Sequence, residues 1–445
     1  MSPSDPIYIL LTLVVSTAGL LGLVLKAKMP PFFALILVSL LAGLALGMSP
    51  QDVISSIESG MGGVLGFIAV VVGLGAILGA ILEKSGGVQT IADRLVSSSD
   101  DKSVPWKMSF LGLLVAIPVF FDVALVILMP MVLRIAKSLK RATIYVAGPL
   151  LAGLAAAHAF IPPTPGPIAV AVLLEADLGL VIIAGLVAAV PAIALGGAVF
   201  ANTQLKSLPA SEIDLDTAPT DAPQIGALAA ICALALPILL VASGTVWKMA
   251  AGDGAVPPAI QFFSHPFVAL LLSVGLYYIY ANRAMGMSTT DLNTASMKSL
   301  EPAGVVVLVT SAGGAFKQVL IDSQAGARIA EMAASFDISV LIFAFLIAAL
   351  VRVVQGSATV AMITAAGFTA PLLAVAEISD FDRALTVIAI AGGASVISHV
   401  NDSGFWLVNR YLNQSVSETL KSWTLISTIV GGVGFATALV LSFLF

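Results

Sequence analysis

The sequence predicts an all-α polytopic membrane protein, an inverted-repeat secondary transporter fold with two helical hairpins and two broken transmembrane helices. Three observations carry this expectation. Of the 445 residues, 59% are hydrophobic and only 10% charged, with a mean hydropathy of +1.07, whereas soluble domains carry about 25% charged residues. Short motifs from the first half recur in the same order in the second. Four apolar segments are interrupted by polar or proline-rich stretches at positions that would lie inside a bilayer.

The elements follow in order. Residues 7–25 read as the first span, because no basic segment precedes them and the apolar run is long for a signal peptide. Further apolar spans of bilayer length are expected at 31–47, 62–82, 180–202, 225–247, 264–281, 302–320 and 421–445, with interrupted segments at 104–138, 143–176, 338–376 and 383–412. A short amphipathic surface segment is expected between the second and third spans of each half. The single cysteine, Cys232, has no intrachain partner and reads as a buried small hydrophobe. The formal charge of -5 says little, since the placement of Lys and Arg sets orientation in a membrane.

The repeat divides the chain into residues 1–203, a polar linker at 204–223 rich in acidic residues and proline, and residues 224–445. Pro31-Phe32 recurs as Pro266-Phe267, and Gly47-Met48-Ser49 with Asp52 recurs as Gly286-Met287-Ser288 with Asp291. Gly66, Gly75, Leu82, Ser85, Ile91 and Ala92 reappear at one constant offset as Gly304, Gly313, Leu320, Ser323, Ile329 and Ala330. Five spans plus a hairpin (104–138 or 338–376) in each half is odd parity, so the second half enters the membrane inverted. With both termini outside, all of the 20 Lys and Arg except Lys248, Lys317, Arg328, Arg352 and Arg383 fall on the inner side. Length alone leaves open whether the hairpin arms are re-entrant or cross fully.

The interruptions carry the chemistry. The first hairpin turns near Phe120-Phe121-Asp122, after Pro118, and the second near Gln355-Gly356-Ser357-Ala358-Thr359. The first broken span holds His158-Ala-Phe-Ile-Pro-Pro-Thr-Pro-Gly-Pro167, whose prolines cannot continue a helix. The second holds Ser398-His-Val-Asn-Asp-Ser-Gly-Phe-Trp406, where Gly404, like Gly166 and Gly356, permits tight backbone. Helices restarting at mid-membrane aim unpaired N–H groups into one central cavity, which suits a small hydrophilic carboxylate. His158, Thr164, Gly166, Gln355, Gly356, Ser357, Thr359, His399, Asn401, Asp402 and Ser403 are the candidate contacts for such a ligand.

Three ionisable positions have competing readings. Asp122, costly to charge between apolar arms, suits a proton carrier, and equally the N-cap of the returning arm. Asp402 with His399 reads as a proton or substrate site, or as a brace for the broken helix. Arg352 lies one turn before the second tip, where an arginine ordinarily snorkels to the surface; alternatively it pairs with a substrate carboxylate, Asp122 or Asp402. Sodium remains open beside protons as the coupling ion. No phosphate loop, zinc spacing or Ser-His-Asp arrangement is evident, so no cofactor, metal or nucleic-acid partner is expected, and neither an ATP-driven pump nor an intramembrane enzyme fits. A passive anion channel would need a continuous polar lining, and the polar rings here are discontinuous.

With these strings in place, the chain resembles the gluconate permease family of bacterial proton symporters. Phe-Phe-Asp-Val at 120–123, the 158–167 string, Gly-Gly-Ala-Phe-Lys-Gln-Val-Leu at 313–320, Gly-Ser-Ala-Thr-Val-Ala at 356–361 and the stretch from Ser398 to Leu407 carry the resemblance over the full length. It implies import of gluconate or a related sugar acid with protons across the bacterial cytoplasmic (inner) membrane, with glycerate or D-serine as alternative cargoes. It also implies the ion-transporter architecture of paired hairpins and broken helices, homodimers and elevator-like motion. Two positions depart from the family pattern: Asp122 stands where Glu is expected and Thr164 where His is expected, and both bear on which acid is carried.

Overall fold

The computed structural model describes residues 6–96, 101–117, 119–209, 226–251, 256–325, 339–375 and 378–444, and among them it is helical with no strand. Pro118, Arg328, Ile329, Ala330 and most of the expected polar linker lie outside the described residues. The first half runs α1 Pro6–Leu25, α2 Pro31–Ala45, α3 Pro50–Lys84, α4 Gly87–Val96, α5 Val104–Val115, α6 Phe121–Leu139, α7 Thr143–Phe160, α8 Pro165–Leu173 and α9 Leu178–Ile193, which continues as π-helix to Leu205. The second runs α10 Ala227–Ala251, α11 Pro258–Ser264, α12 Pro266–Arg283, α13 Thr289–Asp322, α14 Val340–Gln355, α15 Ala358–Val375, α16 Asp380–Ser395, α17 Ser403–Tyr411, α18 Val416–Lys421 and α19 Trp423–Leu444. Thus α5/α6 and α14/α15 are the two hairpins, and α7/α8 and α16/α17 the two broken helices.

The repeated Gly-Met-Ser motif has a local physical meaning. Gly47 (φ 85) and Gly286 (φ 68) take the left-handed backbone that ends a helix, which glycine adopts at no steric cost. Two residues on, Ser49 and Ser288 cap the next helix by accepting from the Asp52 and Asp291 N–H at 3.2 and 3.0 Å. Nothing interrupts the helices that follow, so α3 and α13 run 35 and 34 residues. This corrects the expectation of a separate surface segment before each third span. At about 1.5 Å per residue each is roughly 50 Å long, well beyond a hydrocarbon core of about 30 Å. The two pack antiparallel, with Ser56 near the start of α3 donating to Asp322 at the end of α13.

Each hairpin is laid on the broken helix of its own half. A Cβ on Gly153 of α7 would strike the Ser109 carbonyl of α5, and one on Gly393 of α16 the Phe345 carbonyl of α14. Small residues here let the backbones meet, the usual device for helix packing where lipid offers no hydrophobic drive. The base of the first hairpin is held outside the spans by Arg141, whose Nε and Nη2 donate to Asp101 at 3.1 and 2.7 Å. The guanidinium keeps that carboxyl below the usual carboxylate range. Cys232 is exposed on α10, not buried. An outward-facing residue of a membrane helix finds its apolar surroundings in lipid instead of protein, and hydropathy does not distinguish the two.

Candidate functional site

Four helices that restart after a hairpin tip or a break begin around one cavity of about 260 Å³, and their first residues, Phe121 of α6, Pro165 of α8, Ala358 of α15 and Ser403 of α17, all border it. Each start leaves backbone N–H groups without intrahelical acceptors and puts the positive end of a dipole at the wall. Prolines at 165 and 167 remove two of the donors α8 would offer. The donor-rich starts are therefore α6, α15 and α17.

The second-half wall is tightly cross-linked. Gly356 (φ 89) closes α14 in the left-handed region, and Ser357 caps α15 by accepting from the Val360 N–H at 3.3 Å. Arg352 donates from Nη1 to the Gly356 carbonyl and from Nη2 to Asp402 Oδ2. Asp402 also caps α17, Oδ1 accepting from the Gly404 N–H at 3.0 Å, and takes a further bond from the Ser398 hydroxyl. Both charged residues are buried, at 4% and 8% exposure. The expectation that Arg352 snorkels is thus corrected: removed from water, its charge is compensated by a carboxylate and a carbonyl. Asp402 is bonded to Arg352 and not to His399, whose Nδ1 lies 2.9 Å from the Ile397 carbonyl.

Among the described residues the first-half wall has no such lattice. Asp122 sits in the first turn of α6, two residues past the Phe120 cap position, and makes no capping bond among the described residues. It borders the cavity without a hydrogen-bond or ion-pair partner among the described residues. The His158 ring also borders the cavity, and its Nδ1 is buried with no partner among the described residues.

Of the residues singled out from sequence, Asp122, His158, Arg352, Ser357, Thr359, Asp402 and Ser403 line this cavity. Thr164 lines a small neighbouring pocket against α3, and its hydroxyl donates to the Ile161 carbonyl at 2.7 Å. Gly166 is a packing position, where a Cβ would lie 2.6 Å from Met362 Sδ of α15. Gln355 accepts from the Ser357 N–H at 3.1 Å and steadies the turn. Asn401 donates to the carbonyls of Val353 and Val354 at 2.9 and 3.3 Å, clasping the second break to the second tip. Trp423, Ser395 and Ser427 also line the cavity and were not singled out; nothing local marks them, because each lies in an ordinary apolar helix pattern. On the far side α13 contributes Pro302 and Val306, both apolar.

Gly356 gives a direct check of this geometry. A Cβ there would strike the Asn401 carbonyl, and the backbone conformation is one that side chains resist. Gly356→Ala is expected to lower stability by about 1–3 kcal/mol in detergent thermal unfolding. At a compatible position the same change would gain about 0.4–1 kcal/mol, so a neutral or stabilising result would deny the close approach.

The comparisons with known proteins agree with this architecture. The family model described as GntP family permease matches residues 8–444. A gluconate permease of Pseudomonas aeruginosa is 36% identical over 99% of this chain and 98% of its own. A high-affinity gluconate transporter of Escherichia coli (strain K12) is 37% identical over 95% of this chain and 97% of its own. The Gnt-II system L-idonate transporter of the same organism is 33% identical over 97% and 99%. Among solved structures, the crystal structure of the Alcanivorax borkumensis YdaH transporter superposes with a TM-score of 0.68 over 93% of this chain and 98% of that one, at 16% identity. At that identity the likeness is one of fold.

Proposed function

The chain belongs to the GntP permease family of multi-pass membrane transporters, and from that premise we propose that it imports gluconate or a related sugar acid by proton symport across the bacterial cytoplasmic membrane. One observation carries the reading. The cavity collects four helix starts, a mutually neutralised Arg352–Asp402 pair and one carboxylate, Asp122, that no described residue compensates. Helix starts favour an anion, and the guanidinium, although paired through Nη1 and Nη2, keeps a buried Nε–H without a partner among the described residues. An ionised Asp122 opposes an anion: two like charges about 6 Å apart at an effective dielectric near 20 repel by roughly 3 kcal/mol. Protonating Asp122 removes that repulsion, so proton and monoanion enter together.

His158, Ser357, Thr359 and Ser403 would bond the cargo's hydroxyls, the ring and hydroxyl groups each able to donate or accept. Apart from Trp423 and Ser427 of α19, the polar lining comes from the hairpins and broken helices, while α13 presents only Pro302 and Val306. That division supports cargo travelling with the hairpin elements past an apolar wall, in an elevator-like motion. One proton with one monoanion is electroneutral, so the pH gradient alone drives accumulation, about tenfold per unit. A second proton would add the membrane potential, about 2.3 kcal/mol per charge at 100 mV.

Purified protein in liposomes should concentrate labelled gluconate under an inward proton gradient, without sodium. Uptake of neither gluconate nor a panel of hydroxy and amino acids would overturn the reading, and uptake that requires sodium would reassign the coupling ion.

A further inference from the structure

Trp423 opens α19 and is 4% exposed, bordering the cavity. A tryptophan at the head of a membrane span ordinarily anchors the bilayer interface, but a side chain sealed inside protein cannot do so. Its indole Nε1 donates to the Ser398 hydroxyl at 2.7 Å, and that hydroxyl donates onward to Asp402, the partner of Arg352. The same ring rests on Phe121, with centroids 5.3 Å apart and planes at 40°. Phe121 adjoins Asp122 at the tip of α6. The first turns of α19 also grip the backbone of Ser398, whose N–H donates to the Ser427 hydroxyl at 3.3 Å and whose carbonyl accepts from Thr424.

Trp423 therefore touches both sides of the cavity: the cross-linked wall that bears Arg352, and the tip that bears Asp122. The cavity's titratable and charged lining consists of Asp122, His158, Arg352 and Asp402, and Trp423 is joined to the first through Phe121 and to the last two through Ser398. We propose that Trp423 is a positioning residue of the cargo site, setting the α6 tip against the Arg352–Asp402 pair so that one bound acid and one proton are registered together. This rests on the proposed symport.

Trp423→Phe keeps a ring on Phe121 and removes the N–H that fixes Ser398. In liposomes it is expected to raise the half-saturation concentration for gluconate about tenfold, leave the maximal rate within about twofold, and lower the accumulation plateau at a fixed pH gradient at least about threefold. A merely destabilised protein would lose maximal rate and keep the other two. Independently, a protein in which Trp106, Trp247 and Trp406 are replaced by Phe should show a saturable change in Trp423 fluorescence on adding gluconate. A wild-type half-saturation and plateau in Trp423→Phe overturns the inference, as does a Trp423 signal blind to gluconate. Wild-type protein that moves no acid overturns the symport reading, and this inference with it; active wild type beside an unchanged variant overturns this inference alone.

Discussion

Asp122→Asn is expected to carry gluconate only to equilibrium. Wild-type protein should accumulate it about tenfold per unit of pH gradient, and the variant should show no accumulation while still exchanging internal for external gluconate. The reason lies in the charge balance of the cavity. Arg352 and Asp402 cancel one another through direct bonds, so Asp122 is the lining carboxylate left to respond to protons. Asparagine mimics the protonated acid permanently: it admits the anion but has no proton to release. The fold should survive, because Asp122 makes no capping bond and loses only its interaction with the α6 dipole, about 0.3–1 kcal/mol. Wild-type half-saturation should worsen as pH rises and Asp122 ionises, whereas the variant should be indifferent. Asp122→Glu restores the residue expected from the family pattern and should retain accumulation. Concentrative uptake by Asp122→Asn would reject the proton role; loss of exchange as well would make Asp122 a cargo contact instead.

Much of this was legible in the chain because breaking a membrane helix demands unusual residues. Proline at 118, prolines at 162, 163, 165 and 167, and glycine at 356 announce three of the four interruptions, and a polar run from Ser398 to Ser403 announces the other. The repeated Gly-Met-Ser motif could be seen, but its job as helix stop and cap could not, so α3 and α13 were divided at a boundary set by bilayer thickness. What composition cannot show is which way a polar side chain turns. Arg352 near a helix end satisfies the usual conditions for snorkelling, yet its partners lie 4 and 50 positions away along the chain. Asn401 looks like a ligand group and is spent on the carbonyls of the second tip. Trp423 gives no local sign at all, since its two partners come from the first hairpin and the second break.

Removing Arg352 should have the largest effect on the folded protein. Arg352→Met leaves the Asp402 carboxylate buried beside Ser398 and Gly404 with no positive partner, a loss of about 3–5 kcal/mol when one member of a buried pair is deleted. It also frees the Gly356 carbonyl and loosens the turn at which α15 begins. Detergent-solubilised Arg352→Met should therefore unfold at clearly lower temperature, and gluconate uptake should fall at least about a hundredfold, the equivalent of roughly 2.8 kcal/mol. Arg352→Lys should recover little, because an ammonium cannot reach the Gly356 carbonyl and Asp402 together in the planar fork that guanidinium provides. The decisive variant is the pair Arg352→Met with Asp402→Leu. Apolar replacement of a whole buried ion pair is often neutral or stabilising, so thermal stability should return towards wild type. Transport should not return, since the cavity then holds helix starts and Asp122 but no guanidinium for the cargo carboxylate. If the double variant carries gluconate with wild-type half-saturation, Arg352 serves the fold alone, and the anion is held by the starts of α6, α15 and α17.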